Sequence, residues 1–515
     1  MNLRDLLHGV TADPVAAIPI AGIACHSKQV RTGDLFIAID GETTDGHRFI
    51  EEAIARGAAA VVAQQRLPLL SRSGTGASVL RIHGAAASSS RPCPCVLVRD
   101  SREALVRIAT RFYGHPSRKL RLIGVTGTNG KTTTTYLLKA ILETAGYRAG
   151  LLGTIVYQVG DRVVPSTNTT PGPLELQRLF AQMAGEGLQW CAMEVSSHAL
   201  AQGRVAGLEF EAAVFSNLGS DHLDYHRTHD AYAAAKRRLF EFLQPDGVAV
   251  INADDAYGRV LAETIPQRTV VTYGMERPAK VSVKHVTCSW QGTALVLDTP
   301  WGVVPVTTPL AGRHNVWNIA AASSALLALG VPADAIQHGL AALERVPGRL
   351  ERVLSDADFN IVVDYAHTAD ALRLALLSLR ELTRGRLIVV FGCGGNRDQT
   401  KRPVMGKMAS LLADHAVLTS DNPRGEDPLE IIRQIQAGFP PGFRQFEVAA
   451  DREQAIVSAL SAARRDDTVL IAGKGHEAYQ QFDHITVPFS DRDIVERWLG
   501  TRQGVAVSSS PCAVR

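Results

Sequence analysis

Cysteine is sparse and scattered. Seven cysteines, at 25, 93, 95, 191, 288, 393 and 512, are odd in number and mostly far apart. That excludes a disulfide framework and supplies no zinc-ligand spacing. Cys93-Pro-Cys95 is the one close pair, and it reads as a coincidence within a loop-like stretch. No run of about 18 apolar residues occurs, so no membrane insertion is expected. The N-terminus lacks a basic segment followed by an unbroken apolar core, which makes a cytoplasmic enzyme the expectation. Charge of one sign is also lacking: 54 Lys and Arg against 51 Asp and Glu leave +3. A balance so small argues for neither nucleic acid nor a membrane surface as a partner.

What the chain does have is length, and one conspicuous loop. The 515 residues are 46% hydrophobic and 20% charged, enough for about three globular domains with their own cores. Between the apolar run that starts at Leu120 and the helix-like run Tyr136 to Ala145 lies Gly124-Val-Thr-Gly127-Thr-Asn-Gly130-Lys131-Thr132-Thr133. A strand that enters a glycine-rich turn and then a helix is a phosphate cradle, because glycines admit an oxyanion to the backbone and the helix start offers free N–H groups. Lys131 can reach terminal phosphates and the Thr132 hydroxyl can meet magnesium. The spacing is a variant, GxxGxxGKT, with its first glycine at 124 rather than 125. Such a loop implies ATP or GTP without saying for what.

Residues 1 to about 115 alternate short apolar runs with turns and read as a small α/β domain. Between Ser71 and Pro94 the composition turns to Ser, Gly, Ala and Pro, with too little periodicity for a packed element, so a surface insertion is expected. His115-Pro-Ser117 reads as a linker. From Arg118 to about Val346, strands are expected at 120–125, 150–153, 190–195, 212–216 and 248–252, in a mostly parallel, helix-covered sheet. Ligands of doubly wound sheets collect at strand carboxyl ends. There stand Glu194-Val-Ser196-Ser197-His198 and, after the next strand, Asp221-His222-Leu-Asp224-Tyr-His226. Glu194 suits magnesium, whereas His222 is less typical. Lys236 falls on an expected helix, 231–242, where a lone lysine is usually solvated. Gly312-Arg-His-Asn315-Val-Trp-Asn318 precedes an expected helix, 319–329, and reads equally as a nucleotide contact or a cap. After Pro347-Gly348-Arg349 comes a second doubly wound pattern. Its strand ends carry Asp364-Tyr-Ala-His367, Gly392 to Arg402, Asp421-Asn422-Pro423-Arg424 and Gly473-Lys474-Gly475-His476-Glu477. The tail 503–515 reads as disordered.

The ordered set GVTGTNGKTTT, TNTTPGP, MEVSSHAL, FSNLGSDHLDYH, YAAAKRRLF, GRHNVWN, PGRLE, VDYAHT, FGCGGNRDQTKRP, DNPRGE and AGKGHE resembles the Mur ligases of peptidoglycan synthesis. The likeness runs from about residue 20 to 495. It implies an α/β protein of three domains: a small UDP-sugar-binding domain (1–117), a central P-loop ATPase with a doubly wound, mostly parallel sheet (118–346), and a Rossmann-like amino-acid-binding domain (347–515). It also implies the chemistry. ATP phosphorylates the γ-carboxylate of D-glutamate in UDP-MurNAc-L-Ala-D-Glu, and the amine of meso-2,6-diaminopimelate displaces phosphate to leave an amide.

By the same resemblance Lys131, Lys236 and His222 are catalytic. Gly127, Thr128, Asn129, Gly130, Lys131, Thr132, Thr133, Asn315, Arg349, Asp364 and His367 bind ATP. Thr132, Glu194, His222 and Lys236, the last as a carbamate, hold Mg2+. Ser27, Thr169, Thr170, Ser196, Gln202 and Arg204 meet the UDP-sugar peptide, although this chain has His26-Ser27-Lys28 where the family usually has Asp-Ser-Arg. Arg397, Asp421, Asn422, Pro423, Arg424, Gly473 and Glu477 form the diaminopimelate pocket. There Arg424 can grip the second carboxylate that lysine lacks, and Glu477 suits an ammonium. A monomer is expected. Three alternatives stay open: a lysine-adding relative, a folylpolyglutamate synthase, and a P-loop switch protein that makes no amide.

Overall fold

Strict alternation of side chains builds the first sheet. Leu35, Ile37, Ala60 and Val62 enter one core with Leu3, Leu6, Leu105 and Ile108. Phe36, Val61 and Ala63 enter a second core, with Ile50 and Ala53. Period-two placement of apolar side chains on both faces is what a strand covered on both sides requires. The computed structural model describes residues 1–502 apart from 12–14, 42–43, 65–69, 73–77, 81–92, 220 and 267–268. Two compact units divide the chain. One comprises Met1–Ile123, Arg148–Leu152 and Val156–Glu211, and the other Gly124–Tyr147, Gly153–Ile155 and Ala212–Arg515.

In the first unit the sheet runs in the order Ile23–Ala24, Leu35–Ile37, Ala60–Ala63, Cys93–Leu97, Ser78–Leu80, Leu70–Arg72. The first four strands are parallel, and the last two join antiparallel. The expected insertion 71–94 is therefore corrected in part: Ser78–Leu80, too short to show a period, ladders on Cys93–Leu97, and Leu70–Arg72 ladders on Ser78–Leu80. The rest of that stretch, like the expected disordered tail 503–515, lies outside the described residues. Cys93 and Cys95 sit two apart on this strand and face one core, and burial pushes their thiols up to about 11 and about 12. The expected linker is also corrected: His115 is left-handed and Pro116–Lys119 forms a tight helical turn with Pro116 and Ser117 buried. Farther along, Trp190–Glu194 pairs in parallel with Ala149–Leu152, which a hairpin, Val156–Val159 with Arg162–Pro165, extends.

In the second unit Leu243–Asn252 and Thr269–Gly274 are parallel, but Val281–Ser289, Gly292–Thr299 and Gly302–Thr308 form an antiparallel meander. The sequence pattern of repeated strand and helix did not anticipate the meander. Its alternation is nevertheless plain, with Val281, Val283, Leu295, Leu297, Val304 and Val306 buried and Val303 two-thirds exposed. One face is packed and the other meets solvent. The expected helix 231–242 divides into His229–Arg237 and a tighter turn, Arg238–Phe242. Gly312-to-Asn318 is corrected as well. The helix begins at His314, so Asn315 and Asn318 lie within its first turns rather than before it.

The C-terminal sheet has the order Glu351–Val353, Asn360–Asp364, Thr468–Ala472, Leu387–Phe391, His415–Leu418, Phe446–Val448, all parallel except the first. Val362, Val389, Leu418 and Leu470 face one core while Ile361, Val390, Val417 and Ile471 face the other. Arg452 and Asp491, both fully buried, close the second layer: Arg452 Nε and Nη2 donate to Asp491 Oδ1 and Oδ2 at 2.7 and 2.8 Å, and Nη2 also donates to Ala472 O. Removing one partner strands the other charge in the core. Arg452→Met is expected to destabilise the C-terminal transition in urea by about 3–5 kcal/mol, and adding Asp491→Leu to restore much of that loss.

Candidate active site

Two glycines set the shape of the phosphate loop. Gly127 has φ 145° and Gly130 φ 90°; a Cβ at Gly127 would overlap Ser216 Oγ and one at Gly130 would overlap Asn318 Oδ1. Only glycine fits both the backbone angle and the space. Asn217 then pins the loop. Its backbone carbonyl accepts from Thr128 N at 2.8 Å, its Oδ1 from Asn129 N at 2.9 Å, and its Nδ2 donates to Asn129 O at 3.2 Å. Thr128 Oγ1 lies 3.1 Å from Tyr232 Oη and accepts from Gly219 N. Helix Lys131–Thr144 starts directly at Gly130, with no side-chain cap on its first turn.

Cations crowd this loop. Lys131 Nζ folds over it to donate to Gly127 O and Thr128 O, both at 2.9 Å. Arg349 Nη2 donates to Thr132 Oγ1 at 3.0 Å, its guanidinium lies 4.8 Å from the centre of the Tyr365 ring, and its buried Nε has no hydrogen-bond partner among the described residues. Lys401 Nζ donates to His367 O at 2.8 Å. One carboxylate answers them: burial opposes the charge on Asp221, but His222, His367, Lys131 and Lys401 outweigh it and hold the group below its usual range. His222, left-handed at φ 54°, carries Nε2 3.3 Å from Asp221 Oδ2. Burial, then Lys401, keeps His367 below the ordinary histidine value.

Lys236 is not a solvated helical lysine. It is 2% exposed with Nζ 4.2 Å from the Tyr232 ring centre, and burial followed by repulsion from Lys131 drops its amine well below the usual lysine range. An amine whose charge burial disfavours is the better nucleophile, and it fits conversion to a carbamate by carbon dioxide, which forms one N–C bond and releases one proton. Among the described residues no cluster of three or more His, Cys, Asp and Glu side chains stands ready for a metal. A Thr132 hydroxyl beside phosphate, together with a carbamate oxygen, still fits magnesium's preference for oxygen ligands.

The C-terminal strand ends converge. Asp364, raised by burial against the pull of its hydrogen bond from Leu350 N, accepts that bond at 2.6 Å. Its carbonyl accepts from Gly473 N at 3.0 Å. Asn422 Nδ2 donates to Glu477 Oε2 at 2.9 Å, where buried Lys474 Nζ also donates. Arg424 Nη1 donates to Gly395 O at 2.9 Å, and Gly395 N to Asn422 O. Asp421 Oδ1 accepts from Asn422 N, and its Oδ2 lies against the Gly473 backbone, where an added Cβ would be 2.6 Å away. Pro423 O closes on Gly395, and Arg397, exposed, donates to Asn396 O. A cavity of about 1020 Å3 opens beside Asn315 and Arg349, with Trp290, Leu310, Val346 and Arg345 among its walls.

In the first unit Thr170, Ser196, Gln202 and Arg204 meet. Thr170 Oγ1 donates to Glu194 O at 2.9 Å and accepts from Ser196 N at 3.0 Å. Arg204 Nη1 donates to Thr170 O and its Nε to Gln202 Oε1. Thr169 precedes this knot in the chain, and Glu194 ends its strand 1% exposed. Ser27, in the turn Ser27–Gln29, donates to Glu52 Oε2 at 2.8 Å, and that bond, ahead of Arg56, lowers the Glu52 carboxyl.

Sequence reasoning passed over Asp221, Asn217, Asn318 and Lys401 as site residues, although each stands in a quoted motif. It passed over Arg402 also. This fully buried arginine forks onto Glu426 at 2.8 and 3.0 Å and donates to Gly394 O, supporting the Gly395 turn from below. Its signal, a basic residue in a polar loop, is indistinguishable in sequence from a solvated one.

Three family models match in order: Mur ligase family, catalytic domain, at 19–113; Mur ligase middle domain at 125–326; and Mur ligase, glutamate ligase domain, at 348–475. The chain is 44% identical over 493 residues, 95% of each chain, to the UDP-N-acetylmuramoyl-L-alanyl-D-glutamate--2,6-diaminopimelate ligase of Geobacillus kaustophilus. The chain belongs to the Mur ligase family. The ligase of the same name from Geobacter sulfurreducens is 43% identical over 521 residues, 96% of this chain and 97% of that one. A solved structure of a ligase of that name superposes with TM-score 0.66 at 33% identity, covering 98% and 99% of the two chains. MurF ligase from Thermotoga maritima, in complex with ADP, shares the fold at TM-score 0.63 and 21% identity, covering 93% of this chain and 98% of that one. The architecture is thus the α/β, three-domain Mur ligase arrangement with large, mostly parallel sheets.

If the loop is the phosphate cradle, Gly127→Ala is expected to abolish binding of a fluorescent ATP analogue without altering the far-ultraviolet circular dichroism. Undiminished binding by that variant would place the nucleotide elsewhere.

Proposed function

We propose that this Mur ligase uses ATP to join meso-2,6-diaminopimelate to the D-glutamate γ-carboxylate of UDP-MurNAc-L-Ala-D-Glu, a step of peptidoglycan precursor synthesis. One observation supports the reading: Arg424, Asn422 and Glu477 bring a cationic fork and a carboxylate close together at the strand ends that also bear Asp364 and His367. A substrate with an ammonium and an extra carboxylate matches that pair of charges. Glu477 Oε1 is the oxygen left for the ammonium, since Oε2 already takes Asn422 and Lys474.

A carboxylate is a poor electrophile, and transfer of phosphate to it brings negative groups together. Lys131 exchanges its two carbonyl partners for phosphate oxygens, and Arg349 reaches the same phosphates from Thr132. Gly127, Thr128, Asn129, Gly130, Thr132 and Thr133 offer backbone N–H groups and hydroxyls, while the cavity at Asn315 takes the base and ribose. Asp364 holds the turn that presents Arg349, and His367 stands beside Lys401 at the same rim. Magnesium would be held by Thr132, Glu194, His222 and Lys236 as its carbamate, and would supply neutralising charge to the phosphates. Thr169, Thr170, Ser196, Gln202 and Arg204 would receive the sugar peptide, and Ser27 its uridine end. Arg397, Asp421, Pro423 and Gly473 complete the amino-acid pocket. The reading also divides the chain at 117/118 and 346/347 and has it act as a cytoplasmic monomer. No helix of the described residues is long and apolar enough to cross a membrane.

Phosphate release with ATP, magnesium and the UDP-sugar dipeptide is expected to be far faster with diaminopimelate than with L-lysine, whose turnover stays slow but measurable. Arg424→Ala should lower kcat/KM for diaminopimelate by about a hundredfold or more, since it leaves the second carboxylate unpaired. Preference for lysine would defeat the pocket argument, and no turnover with either would favour a nucleotide switch. Lys236→Arg should retain ATP binding but lose turnover, together with the carbamate resonance that wild type shows by 13C NMR under labelled carbon dioxide. Full activity of that variant would remove the carbamate from the mechanism.

A further inference from the structure

Among the described residues the strands Tyr479–Phe482 and Ile485–Pro488 form a two-stranded ribbon outside the six-stranded sheet, with Phe482 bridged in parallel to Arg424. The ribbon is nonetheless tied to the amino-acid pocket. Arg424 N donates to Gln481 O at 3.0 Å and Asp483 N to Arg424 O at 2.7 Å, so the arginine is held on both sides of its α-carbon. That hold has a reason, because Arg424 sits at φ 52°, a left-handed conformation in which a non-glycine residue is strained. Gln481 adds two more bonds. Its backbone N–H donates to Asn422 Oδ1 at 3.0 Å, and its side-chain Oε1 accepts from Arg424 Nε at 3.2 Å.

The last bond decides how the guanidinium can be used. Of its three nitrogens, Nε is committed to Gln481 and Nη1 gives one hydrogen to Gly395 O at 2.9 Å. A carboxylate can meet an arginine side-on, through Nε and Nη2, or end-on, through the two terminal nitrogens. The Gln481 bond closes the first route and aims the second. Arg397 stands within electrostatic range of Arg424, as do Asp421, Glu477 and Tyr479.

We infer that Gln481 is a positioning residue that turns the Arg424 fork end-on toward the second carboxylate of the incoming amino acid, and thereby sets the discrimination against lysine. The inference rests on the diaminopimelate reading above. Gln481→Met keeps the length of the side chain and removes the acceptor. It is expected to raise KM for diaminopimelate about tenfold, with KM for ATP unchanged and kcat/KM for L-lysine unchanged, so that the preference between the two amino acids falls about tenfold. Gln481→Glu restores an acceptor for Nε and should recover most of the wild-type KM. A hairpin that merely supports the fold would lower kcat/KM for both amino acids alike. That result, or a Gln481→Met enzyme with unaltered preference, would overturn the inference while leaving the ligase reading intact. Failure of wild type to turn over diaminopimelate would overturn both.

Discussion

The phosphate side of the site depends on how closely two other elements approach the glycine loop. The end of strand Phe210–Phe215, through Ser216, presses on Gly127, and helix His314–Ala328, through Asn318, presses on Gly130. The loop has no room to relax from the shape that lets Asn217 take its backbone at 128 and 129. Its polar groups are arranged before any ligand arrives, and preorganised donors are what phosphate transfer needs most. Lys131, Thr132 and Arg349 take their positions from that frame.

Cations gathered round a loop repel one another, and burial relieves much of the strain. His314 is pushed down to about 4 and His476 to about 3, in both cases by burial first and Arg349 second. Lys236 loses its proton affinity for a related reason, with Lys131 as its neighbour. The two imidazoles and the Lys236 amine thus hold a proton less readily, while His222, His367, Lys131 and Lys401 favour the charged form of Asp221. Only groups that hold charge in a desolvated site can neutralise phosphate there, and arginine holds it best.

Most of the buried parallel strands and the polar clusters after the C-terminal ones were legible in the sequence, because such strands leave continuous apolar runs and doubly wound sheets put polar turns after them. Leu387–Phe391 was read to the residue. The meander 281–308 was missed because alternating strands look like polar loops when only continuous runs are sought. Lys236 was readable as unusual only through the family likeness. Its contact with Tyr232 is one helical turn away, but that spacing does not record that this face of the helix is buried. Arg402 and Gln481 were invisible because their partners are remote in the sequence. Each acts through a neighbour 24 or more residues away in the chain, Glu426 in one case and Arg424 in the other.

On the proposed reading, selectivity in the amino-acid pocket belongs to a network. Asp421-Asn422-Pro423-Arg424 supplies the fork, but the turn is held in strain by bonds to Gln481, Asp483 and Gly395, and Gly395 is held by Asn422 while Arg402 anchors Gly394. Lys474, buried and bonded to both Asn422 Oδ1 and Glu477 Oε2, links the cationic end of the pocket to the anionic end. A single arginine on a flexible turn could follow a ligand that lacked the second carboxylate and find water instead. One fixed by a shell of bonds cannot, and its unmet donors become the penalty that separates two substrates differing by one charged group.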